Sequence, residues 1–246
     1  MRDVPIIARG RMTPRTRKML VDPSTDYDIR AAIVREMLRD GVPRCDIRHE
    51  ITLDTSSSGG RADVMLLRDN ALIGVEVKSG RDKLDRLHGQ VEAMKRAFDY
   101  VVALVDASHA SDKHKVAYES IGCTDVKLWH QERGFLFTWG EPMERQWLRF
   151  WETLERHNKS RETGVVGVSR LLWKSEADYV TAALKLPKQT RERSLRLFQE
   201  RIALSQLRPL VIAQLRLRPL NKWEDAFWAR FDATEAMPKR AKGRAA

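Results

Sequence analysis

Residues 61–79, RADVMLLRDNALIGVEVKS, constrain the fold more than any other stretch of the chain. Two apolar runs flank the polar turn RDNA, the pattern of a β-hairpin whose strands enter a core. Yet Asp63 lies near the start of the first run, and Glu76 and Lys78 interrupt the second. Burying an ionised carboxylate or ammonium costs several kcal/mol unless partners compensate it. Residues i and i+2 of a strand share a face. Glu76 and Lys78 therefore point one way, and Val75 and Val77 the other, into the core. Asp63 reaches the same edge from the paired strand. The sequence thus predicts two carboxylates and an ammonium meeting within a few ångströms in an open cleft. At about 5 Å and an effective dielectric near 20, two carboxylates repel by roughly 3 kcal/mol. One then protonates, or a cation sits between them. Oxygen-only ligation suits Mg²⁺ or Mn²⁺, and no His or Cys lies close in sequence to make a zinc site.

The flanking pattern predicts a mixed α/β core. STDYDIRAAIVREMLRD (24–40) reads as a helix, with Ile29, Ile33 and Met37 in one apolar stripe and Asp28 in the first turn. DIRHEITLD (46–54) alternates, with Ile47, His49, Ile51 and Leu53 on one face and Arg48, Glu50, Thr52 and Asp54 on the other. After the hairpin, residues 82–98 read as a helix capped by Asp82, with Asp82, Arg86 and Gln90 in a polar stripe. YVVALVD (100–106) has the composition of a buried strand. A short helix at 114–122 and strands at 124–130 and 134–140 follow. From Glu141 the periodicity becomes helical, and Trp147, Phe150, Trp151 and Leu154 share a face. All seven Trp lie after residue 128. Their helical spacing favours packing over base stacking.

Asp-x12-Glu-x-Lys across a hairpin, in the order helix, three strands, helix, strand, resembles the PD-(D/E)xK nuclease superfamily of restriction-endonuclease-like folds over about residues 26–130. Within it, GVEVKSGRDKLDRLHGQVEAM followed by FDYVVALV resembles a largely uncharacterised bacterial and phage branch. Ala62 departs from the superfamily pattern, which has Pro before the acid. The resemblance implies a metal-dependent nuclease that hydrolyses DNA phosphodiester bonds through metal-activated water. It implies that Asp63, Glu76 and the Val77 carbonyl ligate Mg²⁺ or Mn²⁺, with Asp28 or Glu50 as an accessory acid. Lys78 would orient or help deprotonate the water, and Gln90 would position water or phosphate. Arg86, one turn before Gln90, would face the nucleic acid.

Four regions are expected: a basic arm (1–22), the nuclease-like core (23–140), a basic helical region (141–235) and a disordered basic tail (236–246). Formal net charge is +11, and after residue 150 the chain holds 20 Lys and Arg against 11 Asp and Glu. Such an excess suggests a polyanion, DNA first. Arg191, Arg193, Arg196 and Arg201 are the candidate phosphate contacts, although a plain helical cap over the sheet fits this region equally well. No run of about 18 apolar residues suggests a transmembrane helix. The apolar patch near the N-terminus is too short for a secretory segment. Cys45 and Cys123 are solitary, so a reducing cytoplasm is expected. A homodimer is compatible with the superfamily, but no exposed apolar stripe demands it. The competing reading is a catalytically silent nuclease fold that holds DNA or a protein.

Overall fold

The computed structural model describes residues 25–53, 60–109, 126–130, 134–138, 141–142, 160 and 162–236. Helix α1 spans Asp26–Arg39. It starts where Thr25 and Asp28 satisfy each other's backbone N–H groups, at 2.8 and 3.3 Å, a capping box that removes two orphan donors. Ile29, Ile33 and Met37 are fully buried, as their spacing predicts. Strands β1 (Ile47–Thr52), β2 (Arg61–Leu67) and β3 (Leu72–Lys78) follow, then α2 (Leu87–Lys95) and β4 (Tyr100–Asp106). The expected order helix, three strands, helix, strand is present, and the class is mixed α/β.

Strands β5 (Val126–His130), β6 (Gly134–Thr138) and β7 (Glu141–Pro142) extend the sheet in sequence order. The pairs β3–β4 and β4–β5 are parallel and the other neighbouring pairs antiparallel. Two expectations need correction here. Glu141 does not begin a helix: it pairs with Thr138 across an antiparallel ladder. Asp82 does not cap α2, which begins only at Leu87. The Asp82 carboxylate instead accepts the Ser79 N–H and hydroxyl at 2.8 and 2.6 Å, closing a turn of the kind Asx residues favour. Asp82, Arg86 and Gln90 therefore do not form a helical stripe. The expected basic arm, the helix at 114–122, Cys123, the Trp147–Leu154 face and the tail beyond Ala236 lie outside the described residues.

Helices α3 (Val165–Arg170), α4 (Lys174–Ala183), α5 (Arg191–Arg201), α6 (Leu204–Leu217) and α7 (Lys222–Ala236) follow. They close both faces of the sheet. Phe227, Trp228 and Phe231 of α7 join α1 over Ile47, Val64, Ile73 and Val102. On the other face α2 and residues from α3–α6, among them Val168, Val180, Phe198 and Val211, bury Met65, Leu67 and Leu72. The helical region is thus a cap sharing both cores. Approach is close: a Cβ on Gly74 would lie 2.5 Å from the Phe98 ring, and one on Gly167 would lie 1.8 Å from the Arg96 carbonyl oxygen.

Part of the cap's charge is spent internally. Arg48, expected on the polar side of β1, is 1% exposed and pairs with fully buried Glu224 at 2.7 Å. It also donates to the carbonyls of Leu215, Arg218 and Pro219. Arg218 pairs with Glu176 at 2.6 Å, and Arg208 with Asp99, also at 2.6 Å. A buried charge persists only when it is paired and hydrogen-bonded, and all three pairs join the helical region to the rest of the fold or to itself. Among the described residues, no helix is long and apolar enough to cross a membrane.

Candidate active site

Ladder β2–β3 ends at the pair Val64–Val75. One step beyond it, the strands part and bring their charged residues together. Asp63 turns its Oδ2 to the Val77 N–H at 2.7 Å. Glu76 and Lys78 point toward α2, on the side where Gly74 meets Phe98 and Met94. There the Lys78 ammonium donates to Glu76 Oε1 at 2.6 Å and to Gln90 Oε1 at 2.8 Å. Hairpin and helix thus join Glu76, Lys78 and Gln90 in one chain of hydrogen bonds, with the Asp63 carboxylate across the parted strands.

The β1–β2 ladder is irregular at the same level. Glu50 has φ of 56°, a left-handed conformation uncommon for a residue with a side chain. It lies between the pairs His49–Val64 and Ile51–Ala62, and so opposite Asp63. Alternation inverts at this point. Ile47 and Val64 belong to the core under α1 and α7, whereas Ile51 and Ala62 belong to the core under the helical cap. The expected single apolar face for Ile47, His49, Ile51 and Leu53 is therefore split in two.

A residue that the sequence reading did not single out dominates the other side of the site. Arg30 on α1 is buried and pairs with Asp26 at 2.8 Å, Glu50 at 2.5 Å and Asp63 at 2.9 Å. Its position on the apolar side of α1, next to Ile29 and one turn after Asp26, was the available signal. Asp28, one of the two accessory candidates, is occupied by the helix cap. Glu50, the other, does reach the site, held between Arg30 and Arg61. Arg86 is exposed ahead of the first turn of α2. Arg193, Arg196 and Arg201 are exposed on α5. Arg191 instead donates to the carbonyls of Leu172 and Arg170 at 3.0 Å each, so its role includes holding α5 against the cap.

Burial sets the electrostatics. Glu76 is 1% exposed and Lys78 6%, so the pair lies in the interior and the expectation of an open cleft around both is corrected. The Asp63 and Glu50 side chains retain 15% and 12% exposure, and Gln90 is half-buried. Burial, reinforced by the charge of Asp63 and opposed by Lys78, pushes the Glu76 carboxyl up to about 7. Burial likewise pushes Asp63 up to about 6, against the pull of Arg30 and the Val77 N–H. Glu76 Oε2 is buried and has no hydrogen-bond partner among the described residues. An orphaned carboxylate oxygen beside a second carboxylate is the chemistry that a hard divalent cation satisfies. Against this, no group of three or more His, Cys, Asp or Glu suited to a metal ion is present among the described residues. Two acids, a carbonyl and waters would have to suffice.

Residues 20–133, a little under half the chain, match the family described as Bacteriophage P4 protein cII. The matched segment contains α1, β1–β4, α2 and β5, and with them Arg30, Asp63, Glu76, Lys78 and Gln90. No curated protein and no solved structure matches the chain.

Proposed function

We propose that the chain is a divalent-metal-dependent deoxyribonuclease with a restriction-endonuclease-like core, cytoplasmic and phage-encoded. One observation carries this reading: at the parted end of a hairpin, a buried Glu76 oxygen without a partner among the described residues lies within electrostatic reach of Asp63, while Lys78 is fixed between Glu76 and Gln90. The likeness to a phage family supports the origin. Asp63, Glu76 and the Val77 carbonyl would hold Mg²⁺ or Mn²⁺, with Glu50 as the accessory acid. When bound, the ion lowers the pKa of its water and offsets charge on the phosphate. Lys78 keeps its ammonium at the carboxylate edge, where its third donor has no partner among the described residues and would serve a phosphate oxygen or the attacking water. Gln90 fixes the direction of that ammonium. Arg30 holds Asp63 and Glu50 in place and offsets part of their charge before an ion arrives.

Purified protein with plasmid, linear duplex and single-stranded DNA, with Mg²⁺ or Mn²⁺, tests the proposal. Cleavage should fall at least about 100-fold in Asp63→Ala, Glu76→Ala and Lys78→Ala. Cleavage undiminished in these variants overturns it. A second reading, a silent nuclease fold that binds without cutting, is favoured by Arg30, which already supplies a cation to Asp63. Calorimetric titration with Mn²⁺ separates the two, because that reading expects no Glu76-dependent binding.

A further inference from the structure

Beside the carboxylate site lies a groove of about 630 Å³ between β1–β2, the α3–α4 junction and the turn into α7. Its lining is basic and aromatic: Arg61, Arg170, Lys174 and Arg191 with Trp173 and Trp223. Both rings are half-exposed, at 50% and 54%, against 6% for Trp228 in the core. Trp173 is held from behind. The Arg218 guanidinium lies 4.3 Å from its ring centroid, and Arg218 is itself buried and fixed by Glu176 and the Leu171 carbonyl. One ring face is thus packed on a rigid cation, and the ring stays half open to solvent. Lys222 stands 5.0 Å from the Trp223 ring centroid. Arg61 and Lys174 are about half-exposed and each meets a carboxylate, Glu50 and Asp178 respectively.

We propose that this groove binds an unpaired nucleic-acid strand, with a base stacked on Trp173 and phosphates on Arg61 and Lys174. Cations beside flat rings match the alternation of phosphate and base along a strand. In a duplex the base faces are hidden by stacking, so a ring reached from the side selects unpaired bases. An acidic peptide would use the cations but has no need of the rings. Glu50 lines the groove and bridges Arg61 to Arg30, which holds Asp63. The strand would therefore pass beside the proposed nuclease centre. This deepens the nuclease reading by naming its substrate class, and depends on that reading only for what happens to the strand.

The test is fluorescence anisotropy of the full-length protein with a labelled short DNA strand, in EDTA so that cleavage plays no part. Trp173→Ala should weaken binding about 10-fold, within the range measured for base–aromatic stacking, and Trp173→Phe should restore most of it. Lys174→Glu, an exposed change that leaves the core intact, should weaken it further as salt falls. The matching duplex should bind at least about 10-fold less well, and an RNA strand tells which sugar is preferred. Equal binding by wild type, Trp173→Ala and Lys174→Glu overturns the proposal, as does polyglutamate competing as well as the strand. Strand binding without any cleavage when metal is added would count against the nuclease and leave the groove assignment standing.

Discussion

Glu76 and Lys78 stand two residues apart on β3 and close a 2.6 Å ion pair inside the protein, with side chains 1% and 7% exposed. Removing one partner of such a pair strands the other charge, whereas removing both together does not. Lys78→Met alone should lower unfolding free energy by about 3 kcal/mol, and the double variant Glu76→Gln, Lys78→Met should recover most of that. Urea denaturation of the two single variants and the double variant measures the coupling. Additive losses would mean that the two groups do not sense each other.

Metal uptake at the proposed centre should depend on pH through Glu76. Its carboxyl is pushed up to about 7 by burial, so below that pH an incoming ion must displace a proton. The apparent affinity for Mn²⁺ should fall up to about tenfold per pH unit as pH drops below about 7. Calorimetry in two buffers of different ionisation enthalpy should register released protons near pH 6.5. Asp63, raised to about 6, adds a second proton at lower pH.

His49 should make the fold acid-sensitive. Its ring is buried, lies 3.9 Å from the Phe227 ring and has no hydrogen-bond partner for either nitrogen among the described residues. Burial, with Arg30 and Arg48 nearby, holds its pKa near 3 against 6.5 in the unfolded chain. The folded state therefore refuses a proton that the unfolded state accepts. The contribution is complete above about pH 6.5 and is lost as pH falls toward 3, at up to about 1.4 kcal/mol per pH unit. His49→Phe should flatten this limb of the stability profile, read by urea denaturation at several pH values.

Two further substitutions probe how the cap is attached. Gly167→Ala drives a methyl into the Arg96 carbonyl, and backbone cannot move aside as a side chain can. A loss of about 2–3 kcal/mol is expected. Arg48→Met leaves Glu224 buried without its guanidinium and should cost about 3–5 kcal/mol. Thermal melts of both variants check these values, and a change under about 0.5 kcal/mol in either would show that the cap is held elsewhere.

The hairpin was legible because charge inside an apolar strand has few explanations, and period two fixes which side chains share a face. Glu76 and Lys78 share the face that pattern gives them, whereas Gln90 reaches Lys78 without the helical stripe expected to carry it. Arg30 was only faintly legible: its place beside Ile29 pointed inward, but an arginine in an amphipathic helix normally lies toward solvent, and its partners Glu50 and Asp63 are 20 and 33 residues away in sequence. The same distance problem hid Arg48, whose partner Glu224 is 176 residues on. Net charge counts residues and not pairs, so it overstated how much of the cap faces outward. Helical spacing likewise could not distinguish Trp228, packed in the core, from Trp173 and Trp223 at the surface.

The left-handed turn at Glu50 makes one short strand a shared wall of two compartments: Ile47 lines the first and Ile51 the second. Neither chamber can come apart without tugging on that wall. Heat or urea should consequently dismantle the sheet and its helical covers in a single concerted step, and a lesion beneath either cover should be felt under the other.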